Sequence, residues 1–284
     1  MSLFNKTIAF LGAGSMAEAM ISGIVEAETI PVNQVIVTNR SNQDRLNHIQ
    51  TKYGVRTTPL QQLNYDEVDI FILAMKPKDI NRVLESLKDK LNVDQVLLSV
   101  LAGISTRHME ENMNDGQQVI RAMPNTSSMV GESATAISPG QYTGIDNVVA
   151  AKELLKCIGN VFVIDEKQMD IFTGIAGSGP AYFYYLMEHI EKAGQEGGLD
   201  RDTAREIGAQ TILGAARMLQ EQDDTSAELR EKVTSPNGTT AAGLDALNEH
   251  GGGNAIAQAV KGAAARSNEM SKASRVKEKE LVTK

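Results

Sequence analysis

Short apolar runs alternate with amphipathic stretches through the first 165 residues of the chain. Residues 7–11, Thr-Ile-Ala-Phe-Leu, form a short and mainly apolar run that ends in glycine, which predicts a strand buried on both faces. Ser15–Glu26 follows with helical periodicity. The alternation then repeats. A strand is predicted over 35–38, a helix over 43–52, buried strands over 69–73 and 96–100, shorter ones over 119–121 and 134–137, and a last one over 161–164. Strands apolar on both sides and separated by helices need cover on both faces, so the expected fold is α/β, a doubly wound and mostly parallel sheet.

The pattern changes near residue 165. From Asp170 onward the apolar positions recur with helical spacing only, over 180–196, 201–222, 227–233, 239–249 and 255–273. Stops fall at Gly197-Gly198, Asp223-Asp224 and Gly251-Gly252-Gly253, and Asp200 suits an N-cap. The expected division is a domain of residues 1–165 and an all-helical domain of 166–284. The helices hold Ile207-Gly208-Ala209, Leu213-Gly214-Ala215-Ala216 and Val260-Lys261-Gly262-Ala263. Glycine inside a helix costs about 1 kcal/mol relative to alanine, which close helix packing offsets. Alanine-rich helices alone make a thin core, so the expectation is a homodimer through this half. The run Arg275 to Glu280 reads as a solvated, frayed end.

Composition adds limits. At 42% hydrophobic and 23% charged, the chain has material for a sizeable core. Its net charge of −8 argues against a nucleic-acid partner and requires any anionic cofactor to be held by local donors. Cys157 is the only cysteine, so an intrachain disulfide is excluded, and it reads as a small, partly buried side chain. No apolar run of about eighteen residues occurs and the N-terminus lacks a signal-peptide shape, so a soluble cytoplasmic protein without a membrane partner is expected.

The chemistry begins at Gly12-Ala13-Gly14-Ser15-Met16-Ala17, the G-x-G-x-x-A form of the dinucleotide fingerprint, placed between a strand and a helix. Gly12 allows the tight turn, Gly14 lets pyrophosphate approach the backbone, and small Ala17 lets helix and strand pack closely. This makes the first domain a Rossmann domain. At the end of its second strand an NAD enzyme usually has a carboxylate for the ribose 2′-hydroxyl. This chain has Asn39, Arg40 and Ser41, which suit a 2′-phosphate, so NADPH is expected, with NADH weaker. Ala74-Met75-Lys76-Pro77 ends another strand, where ligands of doubly wound sheets bind; Lys76 there suits either the cofactor or a substrate anion.

Thr234-Ser235-Pro236-Asn237-Gly238-Thr239-Thr240 reads as a tight polar loop entering a helix. Unpaired amides at the helix start, with hydroxyls at Ser235, Thr239 and Thr240, suit a carboxylate. The competing reading is an ordinary N-cap in which Thr239 or Thr240 bonds the backbone. His48, His108, His189 and His250 are scattered without ligand spacing; they read as surface or helix-end residues, and no metal is implied.

These motifs, with Arg121-Ala122-Met123-Pro124-Asn125-Thr126 and Ala176-Gly177-Ser178-Gly179-Pro180-Ala181-Tyr182, resemble those of the pyrroline-5-carboxylate reductase family over nearly the whole chain. The resemblance implies a Rossmann domain joined to a helical dimerisation domain, with dimers sometimes forming rings. It also implies reduction of the C=N bond of 1-pyrroline-5-carboxylate to L-proline by NAD(P)H, the last step of proline synthesis, at a site on the dimer interface. Ser235, Asn237, Gly238, Thr239 and Thr240 would line the substrate pocket, with Thr240 hydrogen-bonding the ring nitrogen. Two positions depart from the family pattern: Asn237 replaces the first glycine after Ser-Pro, and Ser127 replaces a proline. Asparagine tolerates a left-handed backbone, so the turn is expected to persist. Two alternatives stay open on the residues alone, a regulatory NADP-binding relative with little catalysis and a related imine or beta-hydroxyacid reductase.

Overall fold

The computed structural model describes residues 3–282, and side-chain surroundings for residues 3–272. In it the apolar runs form strands β1 (Ile8–Leu11), β2 (Val35–Asn39), β3 (Arg56–Pro59), β4 (Ile70–Leu73), β5 (Val96–Ser99), β6 (Gln118–Met123), β7 (Ser133–Pro139) and β8 (Gly159–Val163). They make an eight-stranded sheet in the order β3-β2-β1-β4-β5-β6-β7-β8. All neighbours are parallel except β6 and β7. Helices α1 (Ser15–Glu26), α2 (Gln43–Tyr53), α3 (Ile80–Lys88), α4 (Thr106–Glu111) and α5 (Ile145–Leu155) interleave with the strands.

Every residue of β1, β4 and β5 is buried. Successive side chains point to opposite faces, and the core divides accordingly. Ile8 and Phe10 pack with Met20, Ile24, Leu46 and Leu154 on one side. Ala9 and Leu11 pack with Phe71, Leu84, Leu97 and Met109 on the other. Phe10 and Phe71 are fully buried, each contributing about 1.5–3 kcal/mol over exposure.

One strand has no apolar signature. β3 is Arg-Thr-Thr-Pro at the sheet edge, partly exposed, and held to β2 by its backbone. A proline is tolerated there because an edge strand need not donate on its outer side.

After β8 the chain enters α6 (Met169–Phe172), a π-helical turn over Thr173–Gly177, and then α7 (Gly179–Glu196), α8 (Arg201–Glu221), α9 (Ser226–Lys232), α10 (Thr239–Glu249) and α11 (Gly252–Val282). Two compact units result. One comprises the residues up to Gly177 with those from Ala263 on; the other is Ser178–Gly262. The C-terminal residues cluster with the sheet unit because Ser267 and Asn268 each hydrogen-bond the Asp170 carboxylate at 2.7 Å. Two expectations need adjusting. Gly251, at φ +72°, does mark the stop after α10, but Gly252 and Gly253 open α11. That helix continues to Val282 rather than ending near residue 273, so the charged run is helical; its side chains lie outside the described residues.

Within the helical unit, Asp200 caps α8 by accepting from the Thr203 amide at 2.9 Å. A Cβ on Gly208 would fall 2.5 Å from Met187 Cε, so α7 and α8 approach closely there. A Cβ on Gly214, Gly243 or Gly262 would meet open space. Gly179, Ala204 and Gly208 are the buried residues of this unit, while Phe183, Tyr184, Leu186, Ile207 and Leu219 lie exposed. A single copy of the unit has no core of its own.

Candidate active site

The order of strands reverses between β1 and β4, and the expected cofactor residues lie at the carboxyl ends of these strands and β2. Crevices at such a switch point are the usual ligand sites of open α/β sheets. Gly12 has φ +120°, and a Cβ on it would lie 2.6 Å from the Ala74 carbonyl oxygen. The loops after β1 and β4 therefore touch through bare backbone, which only glycine permits. The Gly12 amide bonds the Thr38 carbonyl at 3.1 Å, and the Ala74 amide bonds the Leu11 carbonyl at 3.1 Å. Gly14, extended and exposed, is the N-cap of α1 and supplies no side-chain cap. The first amides of α1, at Ser15 and Met16, thus face an open helix start, and Ala17 is fully buried beneath it. An open helix start over a turn with no room for a Cβ fits a dinucleotide pyrophosphate.

Beyond β2, Asn39 Oδ1 accepts from the Ser41 and Asn42 amides, each at 3.1 Å. This turn leaves the exposed Arg40 without an ion pair among the described residues. Asn39 retains only its Nδ2 group to donate outward. Lys76 is also exposed, at the start of the short 3-10 turn Pro77–Asp79, with half-buried Ala74 and Met75 before it.

A charged cluster beside the fingerprint has no local sequence signal. Arg45 of α2 donates from Nε to the Ala13 carbonyl at 2.8 Å and from its other arm to Glu18 of α1. Glu18 also accepts from Lys52 Nζ at 3.1 Å and the Tyr53 hydroxyl at 3.0 Å. Desolvation raises the Glu18 pKa, but hydrogen bonds from Arg45, Lys52 and Tyr53 outweigh it and hold the group at about 2. The partners stand 27 or more positions from Glu18 in sequence, so no helical spacing reveals the cluster.

The loop ahead of α10 is in the helical unit. The Gly238 amide bonds the Ser235 carbonyl at 3.0 Å, closing a turn through Pro236 and Asn237. Asn237 has φ +59°, the left-handed conformation expected of it. A Cβ on Gly238 would meet Ser235 Oγ at 2.4 Å and the Ser235 carbonyl at 3.0 Å. Gly238 is the N-cap of α10, with no side-chain cap. The alternative of a Thr239 or Thr240 cap is therefore not what forms. Thr239 and Thr240 stand exposed on the first turn, with exposed Ser235 before them. The helix start and its hydroxyls are open to a ligand.

Two further motifs meet in space. Asn125 Nδ2 donates to the Ala176 carbonyl at 3.0 Å, and a Cβ on Gly177 would lie 3.5 Å from Met123 Cε. The Met123-Pro124-Asn125 turn thus buttresses the π-helical turn, a form often kept at functional positions. Arg121 is buried and pairs with Glu166 at 3.3 Å. His48 is exposed beside Glu18, His189 stacks edge-on with Tyr185, and His250 is the C-cap of α10. His108 lies in the last turn of α4 but is buried rather than exposed, with Nε2 2.8 Å from Asn81 Oδ1.

Comparison with known proteins fixes the family. Residues 166–270 match the model for pyrroline-5-carboxylate reductase dimerisation, and residues 7–103 match that for NADP oxidoreductase, coenzyme F420-dependent. Pyrroline-5-carboxylate reductase 1 of Bacillus subtilis is 57% identical over 94% of this chain and 90% of its own. The chain belongs to the pyrroline-5-carboxylate reductase family. Among solved structures, the pyrroline-5-carboxylate reductase of Coxiella burnetii superposes with a TM-score of 0.87 at 33% identity, covering 94% of this chain and 98% of its own. The pyrroline carboxylate reductase of Plasmodium falciparum, solved with NADP bound, gives 0.83 at 27% identity, covering 94% and 99%. The reductase family's dimerisation region includes the helices that lack a core in a single copy, so this chain forms a homo-oligomer.

Proposed function

We propose that this chain reduces 1-pyrroline-5-carboxylate to L-proline with NADPH, the closing step of proline biosynthesis, as a cytoplasmic homodimer that can build into a ring of dimers. The observation that carries the reading is the 57% identity, over nearly the full length, to a pyrroline-5-carboxylate reductase. Residues 1–165 act as the NADP-binding domain and 166–284 as the dimerisation and substrate-binding domain. The open start of α1, with Gly12, Ala13, Gly14, Ser15, Met16 and Ala17, takes the pyrophosphate. Asn39, Arg40 and Ser41 take the 2′-phosphate, and Ala74, Met75, Lys76 and Pro77 line the cofactor's path.

When bound, NADPH supplies the hydride. The chain's own residues bind and orient. The uncapped start of α10 and the Ser235 hydroxyl hold the substrate carboxylate, favoured by the positive end of the helix dipole. Asn237 and Gly238 shape the turn, Thr239 adds a donor, and Lys76 adds positive charge toward the anion. Thr240 Oγ1 hydrogen-bonds the ring nitrogen. An imine nitrogen is basic enough to arrive protonated or to take a proton through water, so a strong side-chain acid is not required, and positioning carries most of the rate.

The test is the loss of NADPH absorbance on adding pyrroline-5-carboxylate, with proline identified as the product. Replacing NADPH by NADH should lower the rate, and Arg40→Ala should raise KM for NADPH about tenfold or more while sparing NADH. Intact NADPH binding without turnover would instead point to a regulatory protein.

A further inference from the structure

The Arg45 cluster lies outside every residue assigned above, yet it touches the fingerprint directly. We infer that Arg45 is a positioning residue for the dinucleotide loop: it straps the Ala13 carbonyl to Glu18 of α1 and so aims the Gly14 amide at the cofactor pyrophosphate, without reaching the 2′-phosphate itself. The inference rests on the cofactor site proposed above.

The geometry carries it. In a trans peptide the carbonyl and the following N–H point in opposite directions. Arg45 Nε holds the Ala13 carbonyl at 2.8 Å, on the α2 side of the loop. The Gly14 amide of the same peptide must then point away, and it makes no hydrogen bond within the described residues. The other end of the guanidinium is fixed on Glu18, in the first turn of α1. Arg45 thus ties the loop to the helix it precedes, and both ends of its planar fork are engaged. The Arg45 amide is also fixed, on Asn42 at 2.9 Å, which locks the start of α2. Arg40, unlike Arg45, is exposed and makes no ion pair among the described residues, which leaves its guanidinium for the 2′-phosphate. Arg45 also offsets the Glu18 charge, which would otherwise stand near the incoming pyrophosphate unshielded on that side.

The experiment is calorimetric titration of the intact protein with NADPH and, separately, with NADH, for the wild type, Arg45→Met and Arg45→Lys. A pyrophosphate effect is common to both nucleotides, whereas a 2′-phosphate contact touches NADPH alone. Arg45→Met should weaken both by a like factor of about ten, the order expected for losing a charged hydrogen bond, with KM for the imino acid unchanged. Arg45→Lys keeps a cation but a single donor group, so it should restore part of the loss for both nucleotides. In the nucleotide-free protein, amide exchange over residues 12–15 should quicken in Arg45→Met. Unchanged affinity and exchange in Arg45→Met, or a loss confined to NADPH, would overturn the inference. If the Met variant folds poorly, the Lys variant decides by the same comparison of the two nucleotides. A wild type that binds neither nucleotide would overturn the underlying cofactor reading, and the inference with it.

Discussion

At the scale of single residues, the proposed role of the loop ahead of α10 turns on Thr240. It lies on the first turn of a helix whose N-cap is glycine, so no cap competes for its hydroxyl. Thr240→Ala should lower kcat about a hundredfold, the order expected when a reacting group is no longer held in position, and leave calorimetric NADPH affinity unchanged. Thr240→Ser should recover most of the rate; an alanine variant with wild-type kcat would remove the residue from the site. The loop was legible in sequence because its parts are local: a proline, a residue tolerant of positive φ, a glycine and adjacent hydroxyls. The fingerprint was legible for the same reason. The Glu18 cluster was not, since its members meet only when α1 and α2 pack. Nor was the bond from Asn125 to Ala176, which joins motifs 51 positions apart.

At the scale of elements, α1 carries a close backbone contact and a charge that can be tested separately. A Cβ on Gly23 would sit 2.4 Å from the Cys157 carbonyl oxygen, a backbone atom that cannot rotate away. Gly23→Ala gains up to about 1 kcal/mol of helix propensity but incurs overpacking of about 1–3 kcal/mol, so the urea midpoint should fall; a rise would mean that the helix can shift. The nearby thiol is pushed up to about 12 by burial, which keeps Cys157 unreactive while the fold is intact. Glu18 supplies the pH test. Its folded pKa of about 2 lies below the ordinary 4.5, so its stabilisation is full above pH 4.5 and is lost as the pH falls toward 2. Wild type should melt above Glu18→Gln at neutral pH, and the gap should close across that window and narrow in high salt. A gap that stays constant down to pH 2 would show that the carboxylate charge is not what ties α1 to α2. Most of the sheet was readable because a strand buried on both faces must be continuously apolar. β3 escaped because an edge strand can be polar throughout, and α6 with its π-helical turn is too short for periodicity to register.

At the scale of the whole molecule, the helical unit sets the assembly. Its helices bury only Gly179, Ala204 and Gly208 in one copy, while Phe183, Ile207 and Leu219 are each about half exposed. Large apolar side chains left open in this number mark an interface rather than a free surface. Gly214, Gly243 and Gly262 face open space within the chain, so neighbouring helices of the same copy do not explain their loss of propensity. Folding of this unit should then be coupled to association, and the thermal midpoint should rise with protein concentration. Sedimentation equilibrium should find a dimer or a multiple of it, with no stable folded monomer at the lowest concentrations. Ile207→Glu would place a charge in the buried contact, and should shift the assembly toward smaller species and lower the midpoint together. A monomer that melts at the same temperature at every concentration would mean that the exposed apolar helices are stable in water without a partner.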